Sequence, residues 1–395
     1  MEIVEKKPMR FLWAIFLSNF LLSFHFYLIV YINSSFLERF FTPSALSVLF
    51  MTGAAVNLAL LLRGPALIKR FSDRRLTLFL IVLEFIAIAG LSFAKIPFLV
   101  ALLFILHQAV VLMIFYNLDI FLEDYSPIDE SRTGGIRGTY LTVSNLTLVA
   151  SPTIAGVILS NGDWWKIYLF SALFLIPLYF VVKGGLREKL AEITSTSAFS
   201  ALGKLRGNKD LQNILIIKLI LQFFFAWMII YMPIHLSKNL GFDWSAIGLI
   251  FTIMLLPYLF FTVPLGKLAD KRIGEKEIMT AGFIVTALAT ALIPFINGAS
   301  FLLWAGVLFL TRVGASFVDI GSESYFFKHV NAADADIISL YRITAPLSLV
   351  IAPVAAVLSF QLIDLWDLSY PFIFLILAII ILLGTRYTLT ITDTK

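Results

Sequence analysis

Apolar residues occur in long blocks along the whole chain, and short polar segments separate the blocks. Each block has about 20 residues, the length that a helix needs to cross the hydrocarbon core of a bilayer. The blocks lack the period-two alternation of transmembrane β-strands, so the pattern favours helices over a barrel. It predicts an all-α polytopic membrane protein. The twelve predicted spans are 11–33, 44–63, 75–94, 97–121, 139–160, 166–184, 211–236, 244–266, 277–296, 301–323, 338–360 and 370–388.

The composition supports a membrane protein. Of the 395 residues, 60% are hydrophobic and only 14% are charged, against about 45–50% and about 25% in soluble domains. This excess of apolar side chains is more than one soluble core could bury. The absence of cysteine excludes a disulfide or a thiolate metal site. The first span is too long for a cleavable signal peptide, so we expect it to remain as a helix.

The distribution of basic residues predicts the orientation in the membrane. An even number of spans places both termini on one side, and most of the 30 Lys and Arg residues lie in segments on that side. The loops on the opposite side contain only Arg39, Lys95, Lys166 and Lys238. This asymmetry predicts cytoplasmic termini in a plasma membrane, the bacterial or archaeal inner membrane. We expect the lipid bilayer as a partner and no nucleic acid, because the net charge of +5 is spread over short loops.

Three segments of the first half recur in the second half at nearly one offset. Gly64–Arg74 aligns with Gly266–Lys276 at an offset of 202 residues, and Leu118–Tyr125 aligns with Val318–Tyr325 at 200. Thr147–Pro152 aligns with Ser348–Pro353 at an offset of 201. A shift of six helices predicts a parallel repeat about an axis along the membrane normal. The predicted domains are six-helix bundles at 1–186 and 211–395, joined by a cytoplasmic linker at 187–210.

The segment Gly266-Lys-Leu-Ala-Asp-Lys-Arg-Ile-Gly-Glu-Lys276 resembles the loop signature of the major facilitator superfamily, which joins helices two and three and helices eight and nine. The N-terminal copy departs from the signature at Ile68 and Ser72. The resemblance covers the whole chain through helix count, repeat and loop placement. It implies two pseudo-symmetric six-helix bundles and a secondary transporter that works by alternating access around a midplane site.

Charged residues and glycines at the predicted cytoplasmic helix ends suggest a gate. Pairs such as Asp319 and Glu323 stand four residues apart on one helix face, where they can meet charges on neighbouring helix ends. Our hypothesis is that such groups form two charge clusters that lock the cytoplasmic gate. The alternative is a set of interfacial charges that only set topology. The candidate gate residues are Gly64, Arg70, Arg74, Glu123, Arg137, Gly266, Asp270, Lys271, Gly274, Glu323 and Arg342.

Polar residues inside the spans suggest a substrate cavity. A charge at mid-bilayer costs about 2.5–3.5 kcal/mol, so it usually faces a bundle interior or a wet cavity. In the resembled family, helices one, four, seven and ten line that cavity. A structural ion pair is the alternative role for Arg312, and snorkelling to the interface is the alternative for Lys218. The candidate cavity residues are Asn19, His25, Phe26, Gln108, Lys218, Gln222, Arg312 and Ser316.

The candidates for proton coupling are Glu84, Asp119 and Asp319. Glu84 stands in the middle of the third span, where it is either a proton carrier or a neutral acid hydrogen-bonded between scaffold helices. His25 and His107 are either proton relays or packing residues. We expect protons rather than sodium as the coupling ion, because no cage of acidic or hydroxyl groups is apparent.

The predicted function is secondary transport of a small organic solute, amphipathic or anionic, coupled to protons. Ser151–Gly156 resembles the proline–glycine signature of the family's drug:proton antiporters, with Ser151 and Ala155 in place of two glycines. Close packing of small residues explains that segment equally well. The alternatives are a non-transporting receptor or scaffold on the same fold and a polytopic membrane enzyme. No motif indicates catalysis, a metal or a cofactor, and we predict none of them.

Overall fold

The structure is a computed structural model that describes residues 9–125, 130–186, 207–261, 274–296, 298–329 and 335–392. The regular secondary structure in these ranges is helical. The α-helices are α1 (Met9–Val30), α2 (Asn33–Leu37), α3 (Pro43–Leu62), α4 (Gly64–Phe71), α5 (Asp73–Phe93), α6 (Pro97–Tyr125), α7 (Glu130–Leu159), α8 (Trp164–Leu173), α9 (Leu175–Gly185), α10 (Lys209–Ile234), α11 (Trp244–Leu255), α12 (Pro257–Phe260), α13 (Glu275–Leu292), α14 (Phe301–His329), α15 (Ala335–Leu365), α16 (Ile373–Leu382) and α17 (Gly384–Thr388).

Eleven helical segments in the described ranges are long and apolar enough to cross a membrane. A shorter apolar helical segment, Trp244–Phe260, occupies most of the eighth predicted span. It ends where a stretch outside the described residues begins, at 262–273. The all-α polytopic fold predicted from the apolar blocks is confirmed.

Prolines interrupt two of the predicted spans. The sixth span divides at Phe174 into α8 and α9, three residues before Pro177. Proline has no N–H to bond the carbonyl of the residue four positions earlier, here Leu173, and its ring clashes with that carbonyl. The eighth span divides in the same way at Leu256, directly before Pro257. In both cases the apolar helical segment continues past the break.

The chain groups into two compact units. One consists of Met1–Ile32 and Thr52–Ser195, and the other of Asn33–Met51 and Thr196–Lys395. Helix α3 therefore contributes residues to both units. Most of the predicted linker, at 187–206, lies outside the described residues, so the predicted domain bounds remain a prediction.

The first unit has an apolar core formed by one face of each of its long helices. Ile15 and Leu22 of α1, Ile81 of α5 and Ile114 and Leu118 of α6 are completely or almost completely buried in it. In the second unit, two glycines let α13 and α14 approach each other closely. A Cβ atom on Gly282 would lie 2.6 Å from the carbonyl oxygen of Gly314, closer than real Cβ contacts allow. Small residues at a helix crossing are typical of packing within a membrane.

The segment 33–51 joins the second unit through a hydrogen bond and an ion pair. The Ser47 and Tyr231 hydroxyl groups lie 2.6 Å apart. Glu38, which is 8% exposed, pairs with Lys238 at 2.9 Å. The Tyr370 hydroxyl group donates to the Tyr231 carbonyl oxygen at 3.2 Å. A segment from early in the chain is thus part of the packing around the outer end of α10, as the predicted topology orients that helix.

Candidate functional site

Three ionisable side chains meet in the core of the first unit. Glu84 of α5 lies between His25 of α1 and His107 of α6, and none of the three is more than 1% exposed. One carboxylate oxygen, Oε1, is 3.0 Å from His25 Nε2 and 2.5 Å from His107 Nδ1. We call this group the His–Glu–His cluster. It is the closest grouping of potential proton-binding side chains in the described part of the first unit.

The helix pair α5–α6 brings Glu84 and His107 to the same depth. The two helices are antiparallel neighbours joined by a short turn, and Glu84 precedes the turn by about as many residues as His107 follows it. At a rise of 1.5 Å per residue, both lie about 15 Å from the turn. Gly90 allows the close approach, because a Cβ atom there would lie 2.8 Å from Leu103 Cδ1.

Ser171 of α8 fixes the ring of His25. The Ser171 hydroxyl group donates to the His25 carbonyl oxygen at 2.8 Å. His25 Nδ1 lies 2.8 Å from that hydroxyl oxygen and 3.1 Å from the Ser171 carbonyl oxygen. A carbonyl oxygen only accepts hydrogen bonds, so we place a hydrogen on His25 Nδ1. Both ring nitrogens of His25 therefore have acceptor groups in front of them.

This arrangement leaves two ways to join His25 Nε2 to Glu84 Oε1 by a hydrogen bond. With a hydrogen on Nδ1, Nε2 either carries a second hydrogen and donates it to a carboxylate, or accepts one from protonated Glu84. In both cases the pair of His25 and Glu84 holds one proton more than a neutral imidazole and a carboxylate do. The pair is then electrically neutral, which suits a site in the membrane.

Two atoms of the cluster are not engaged. Glu84 Oε2 and His107 Nε2 are buried and have no hydrogen-bond partner within the described residues. One nitrogen of each histidine and one carboxylate oxygen also lie within 4.8 Å of one another, a set that could bind a metal ion. The sequence shows no acidic cluster that would hold a metal, so we predicted no metal site; these three residues are distant in the chain. Tertiary packing brings them together.

A second charged cluster lies in the other unit. Lys218 of α10 pairs with Asp319 at 2.6 Å and with Glu323 at 3.0 Å, both on α14. The lysine side chain is 7% exposed, and its Nζ also lies 5.0 Å from the centroid of the Tyr341 ring. From the sequence we assigned Lys218 to the cavity, Asp319 to proton coupling and Glu323 to the gate. The structure places them in one ion-pair cluster.

Arg312 lies two turns before Asp319 on α14 and is 2% exposed. Its guanidinium carbon is 5.0 Å from the ring centroids of Phe224 and Phe225 on α10. Ser316, on the same face of α14, is buried and donates its hydrogen to the Val313 carbonyl oxygen. Arg312 and the Lys218 cluster thus both lie where α10 and α14 contact each other.

The remaining cavity candidates occupy varied positions. Asn19 is fully buried and donates to the Tyr140 carbonyl oxygen at 2.8 Å, which ties α1 to α7. Phe26 is half-buried against the ring of Phe115, at 5.6 Å between centroids. Gln108 is 9% exposed and lies close to the backbone of Gly53. Gln222 is half-buried on α10.

The gate candidates are only partly described. Gly64 is buried, and a Cβ atom there would lie 2.9 Å from the Tyr116 ring, which supports the close approach expected at this position. Arg70 is exposed beside the Phe71 ring, and Arg74 donates to the Leu186 carbonyl oxygen at 3.4 Å. Asp119 is half-buried, Gly274 directly precedes α13 and Arg342 is exposed on α15. Glu123 and Arg137 lie on helices, but their side chains are outside the described part of the chain. Gly266, Asp270 and Lys271 lie outside the described residues.

Two contributors to these clusters were not among the sequence candidates. Ser171 orients His25, and Tyr341 faces the Lys218 ammonium group. A serine or tyrosine in an apolar helix has no distinctive signal, because both residues are common in packed membrane helices. Only their positions opposite a charged group reveal them.

The comparisons with known proteins agree with this fold. The family model described as Major Facilitator Superfamily matches residues 14–244 and again residues 214–393. The fold is similar to that of the nucleoside transporter NupG, with a TM-score of 0.76 at 10% sequence identity over 96% of this chain and 99% of that one. No curated protein matches the sequence. With a family model matching both halves, the chain belongs to the Major Facilitator Superfamily of integral membrane transporters.

Proposed function

We propose that this protein is a proton-coupled secondary transporter that moves a small organic solute across the plasma membrane by alternating access, with both termini in the cytoplasm. The family and the fold support a secondary transporter. The observation that carries proton coupling is the position of His25, whose two ring nitrogens both face acceptor atoms. A histidine in that position holds its extra proton together with Glu84.

Loss of this proton changes the contact between His25 of α1 and Glu84 of α5. Without it, the lone pair of His25 Nε2 faces a carboxylate oxygen at 3.0 Å, and the attraction between them becomes a repulsion. A hydrogen bond to a charged group contributes about 1.5–3 kcal/mol. The charge left on Glu84 is also costly in the membrane. Protonation and the position of α1 are therefore linked, which is the requirement for a coupling site.

The route of the proton within the cluster follows from its free atoms. We assign the hydrogen of the bond between His107 and Glu84 Oε1 to His107 Nδ1, which leaves a lone pair on Nε2. Glu84 Oε2 is the second group able to receive a proton. We assign these two atoms as the points where a proton enters or leaves, and the His25–Glu84 pair as the place where it is held.

Hydrogen bonding fits the geometry of this cluster better than metal coordination does. Two ligand atoms at about 2.0–2.1 Å from a tetrahedral zinc ion lie about 3.3 Å apart. The two ring nitrogens instead lie 3.0 and 2.5 Å from a single carboxylate oxygen, closer than two ligands of one zinc ion lie to each other. We expect less than about 0.1 equivalent of zinc, iron or manganese by mass spectrometry. If the wild-type protein instead contained one equivalent of metal and Glu84→Gln contained none, the cluster would be a metal site rather than a proton site.

The test uses proteoliposomes with an imposed pH gradient and a pH-sensitive dye inside. Pools of solutes are added outside, with organic acids, sugars and nucleosides tested separately; nucleosides are included because NupG is a nucleoside transporter. We expect the wild-type protein to move protons with one pool and to accumulate the solute. Glu84→Gln should lose accumulation but keep exchange of labelled for unlabelled solute, because exchange needs no net proton movement.

Glu277→Gln is the matched control, since the same change is made at an exposed position on α13. It should accumulate the solute as the wild-type protein does. Proton-driven accumulation by Glu84→Gln at the wild-type rate would refute the role of the cluster. Binding of a solute without any flux would instead favour the non-transporting receptor.

A further inference from the structure

Arg312 is a buried cation for which the described residues provide no anion. Its Nε atom has no hydrogen-bond partner there, and no carboxylate lies within ion-pair distance. The rings of Phe224 and Phe225 lie against the guanidinium group at 5.0 Å. A cation–π contact favours a cation, but less than a carboxylate does. Because arginine is not deprotonated in proteins, the charge stays on this side chain.

Three other buried charged groups have partners of opposite charge. Glu84 lies between two histidines, and Lys218 lies between two carboxylates. Glu275, which is 1% exposed, pairs with Lys328. The ammonium group of Lys218 already has its counter-ions and is not available to another anion. Among the described residues of this unit, Arg312 is therefore a buried cation without a charged partner.

Resting on the proposed transport function, we infer that Arg312 binds the anionic group of the transported solute and that the solute is an organic anion with an apolar body. The planar guanidinium group donates two parallel hydrogen bonds to a carboxylate or a phosphate, a geometry that no other side chain provides. Phe225, which is half-buried, offers apolar surface beside that group. Ser316 adds no donor, because its hydrogen bonds to the Val313 carbonyl oxygen.

A structural ion pair with a residue outside the described ranges predicts the opposite effect on stability. If Arg312 had such a partner, replacing it would leave a buried carboxylate alone and lower the melting temperature. If the solute supplies the anion, replacement relieves an uncompensated charge. Arg312→Gln without ligand should then melt at the wild-type temperature or above it. The sign of this shift separates the two roles without any ligand.

The binding test measures the melting temperature of the detergent-solubilised protein at constant chloride. The probes are benzoate, hexanoate and phenyl phosphate, and benzamide is the uncharged counterpart of benzoate. We expect at least one anion to raise the melting temperature of the wild-type protein and benzamide to have little effect. Arg312→Gln should weaken the apparent affinity for that anion about tenfold or more. Lys328→Gln is the control. Lys328 lies on the same helix as Arg312, but its charge is already paired with Glu275, so this variant should bind the anion as the wild type does.

The inference is overturned by any of three results: none of the three anions stabilises the wild-type protein, benzamide stabilises it as well as benzoate, or Arg312→Gln binds with wild-type affinity. Should Arg312→Gln not be obtained folded, Arg312→Lys keeps the charge and removes the fork, and the same loss of affinity is expected. The melting assay needs no pH gradient, whereas accumulation in proteoliposomes does. A failure of proton coupling and a failure of anion binding are thus observed separately.

Discussion

Lys218 shares its positive charge unequally between two carboxylates, and replacing each of them in turn should show this. The Asp319 contact is the shorter one, at 2.6 Å, and that side chain is 28% exposed. The Glu323 contact is 3.0 Å, and that side chain is 48% exposed. Water screens the second pair more than the first. Asp319→Asn should therefore be more destabilising than Glu323→Gln.

The two costs can be approximated from these contacts. A hydrogen-bonded pair with a charged group that is largely removed from water contributes about 1.5–3 kcal/mol, which we assign to Asp319. A half-exposed pair contributes about 0.2–1 kcal/mol, which we assign to Glu323. Either change leaves Lys218 with one partner, so neither should prevent folding. The expected difference is about 1 kcal/mol or more.

Reversible unfolding in mixed micelles, with the fraction of sodium dodecyl sulfate as the variable, gives the free energies. Double-mutant cycles with Lys218→Met then isolate the two couplings from the other effects of each substitution. Equal couplings, or a larger one for Glu323, would contradict the order derived from distance and exposure. A coupling of zero for Asp319 would show that the contact contributes nothing to the folded state in solution.

Three further changes have distinct expected outcomes. Gly314→Ala places a Cβ atom 2.5 Å from the Gly282 carbonyl oxygen and should lower the free energy of unfolding by about 1–3 kcal/mol in thermal unfolding. Gly306→Ala on the same helix, where a Cβ atom would have nothing within 4 Å, should leave it unchanged. Equal losses of stability would refute the close crossing. Tyr231→Phe removes the 2.6 Å contact with the Ser47 hydroxyl group and should lower the free energy of unfolding by about 0.5–1.5 kcal/mol, an effect that should vanish in a Ser47→Ala background. Ser171→Ala removes the hydroxyl group beside His25 and should slow proton-driven accumulation while exchange continues; accumulation at the wild-type rate would show that the serine does not position the histidine.

The sequence predicts the helical fold well because the length of a span is set by the thickness of the bilayer rather than by tertiary packing. The interruption of the sixth span was missed, although Pro177 was visible, because a proline within an apolar block kinks a helix without ending the span. The short helix α2 was also missed, because its five residues, Asn-Ser-Ser-Phe-Leu, are too few and too polar to stand out as an apolar block.

The candidate site was predicted residue by residue but not as a set. Glu84, His25 and His107 were each noticed as polar residues in apolar spans. Their separations of 59 and 23 residues carry no sign that they meet. The common face of Asp319 and Glu323 follows from helical periodicity. That Lys218 faces them depends on how α10 is rotated about its axis, which depends on side-chain packing along its whole length.

The segment 33–51 has a consequence for experiments that divide this protein. Cutting the chain in the linker separates Ser47 and Glu38 from Tyr231 and Lys238, although all four belong to one compact unit. A C-terminal fragment made alone would carry a buried tyrosine hydroxyl group and a lysine without their partners. Each fragment would depend on the other to complete its packing. We expect the two pieces to accumulate in the membrane only when they are co-expressed, so that order along the chain is a poor guide to where this transporter can be divided.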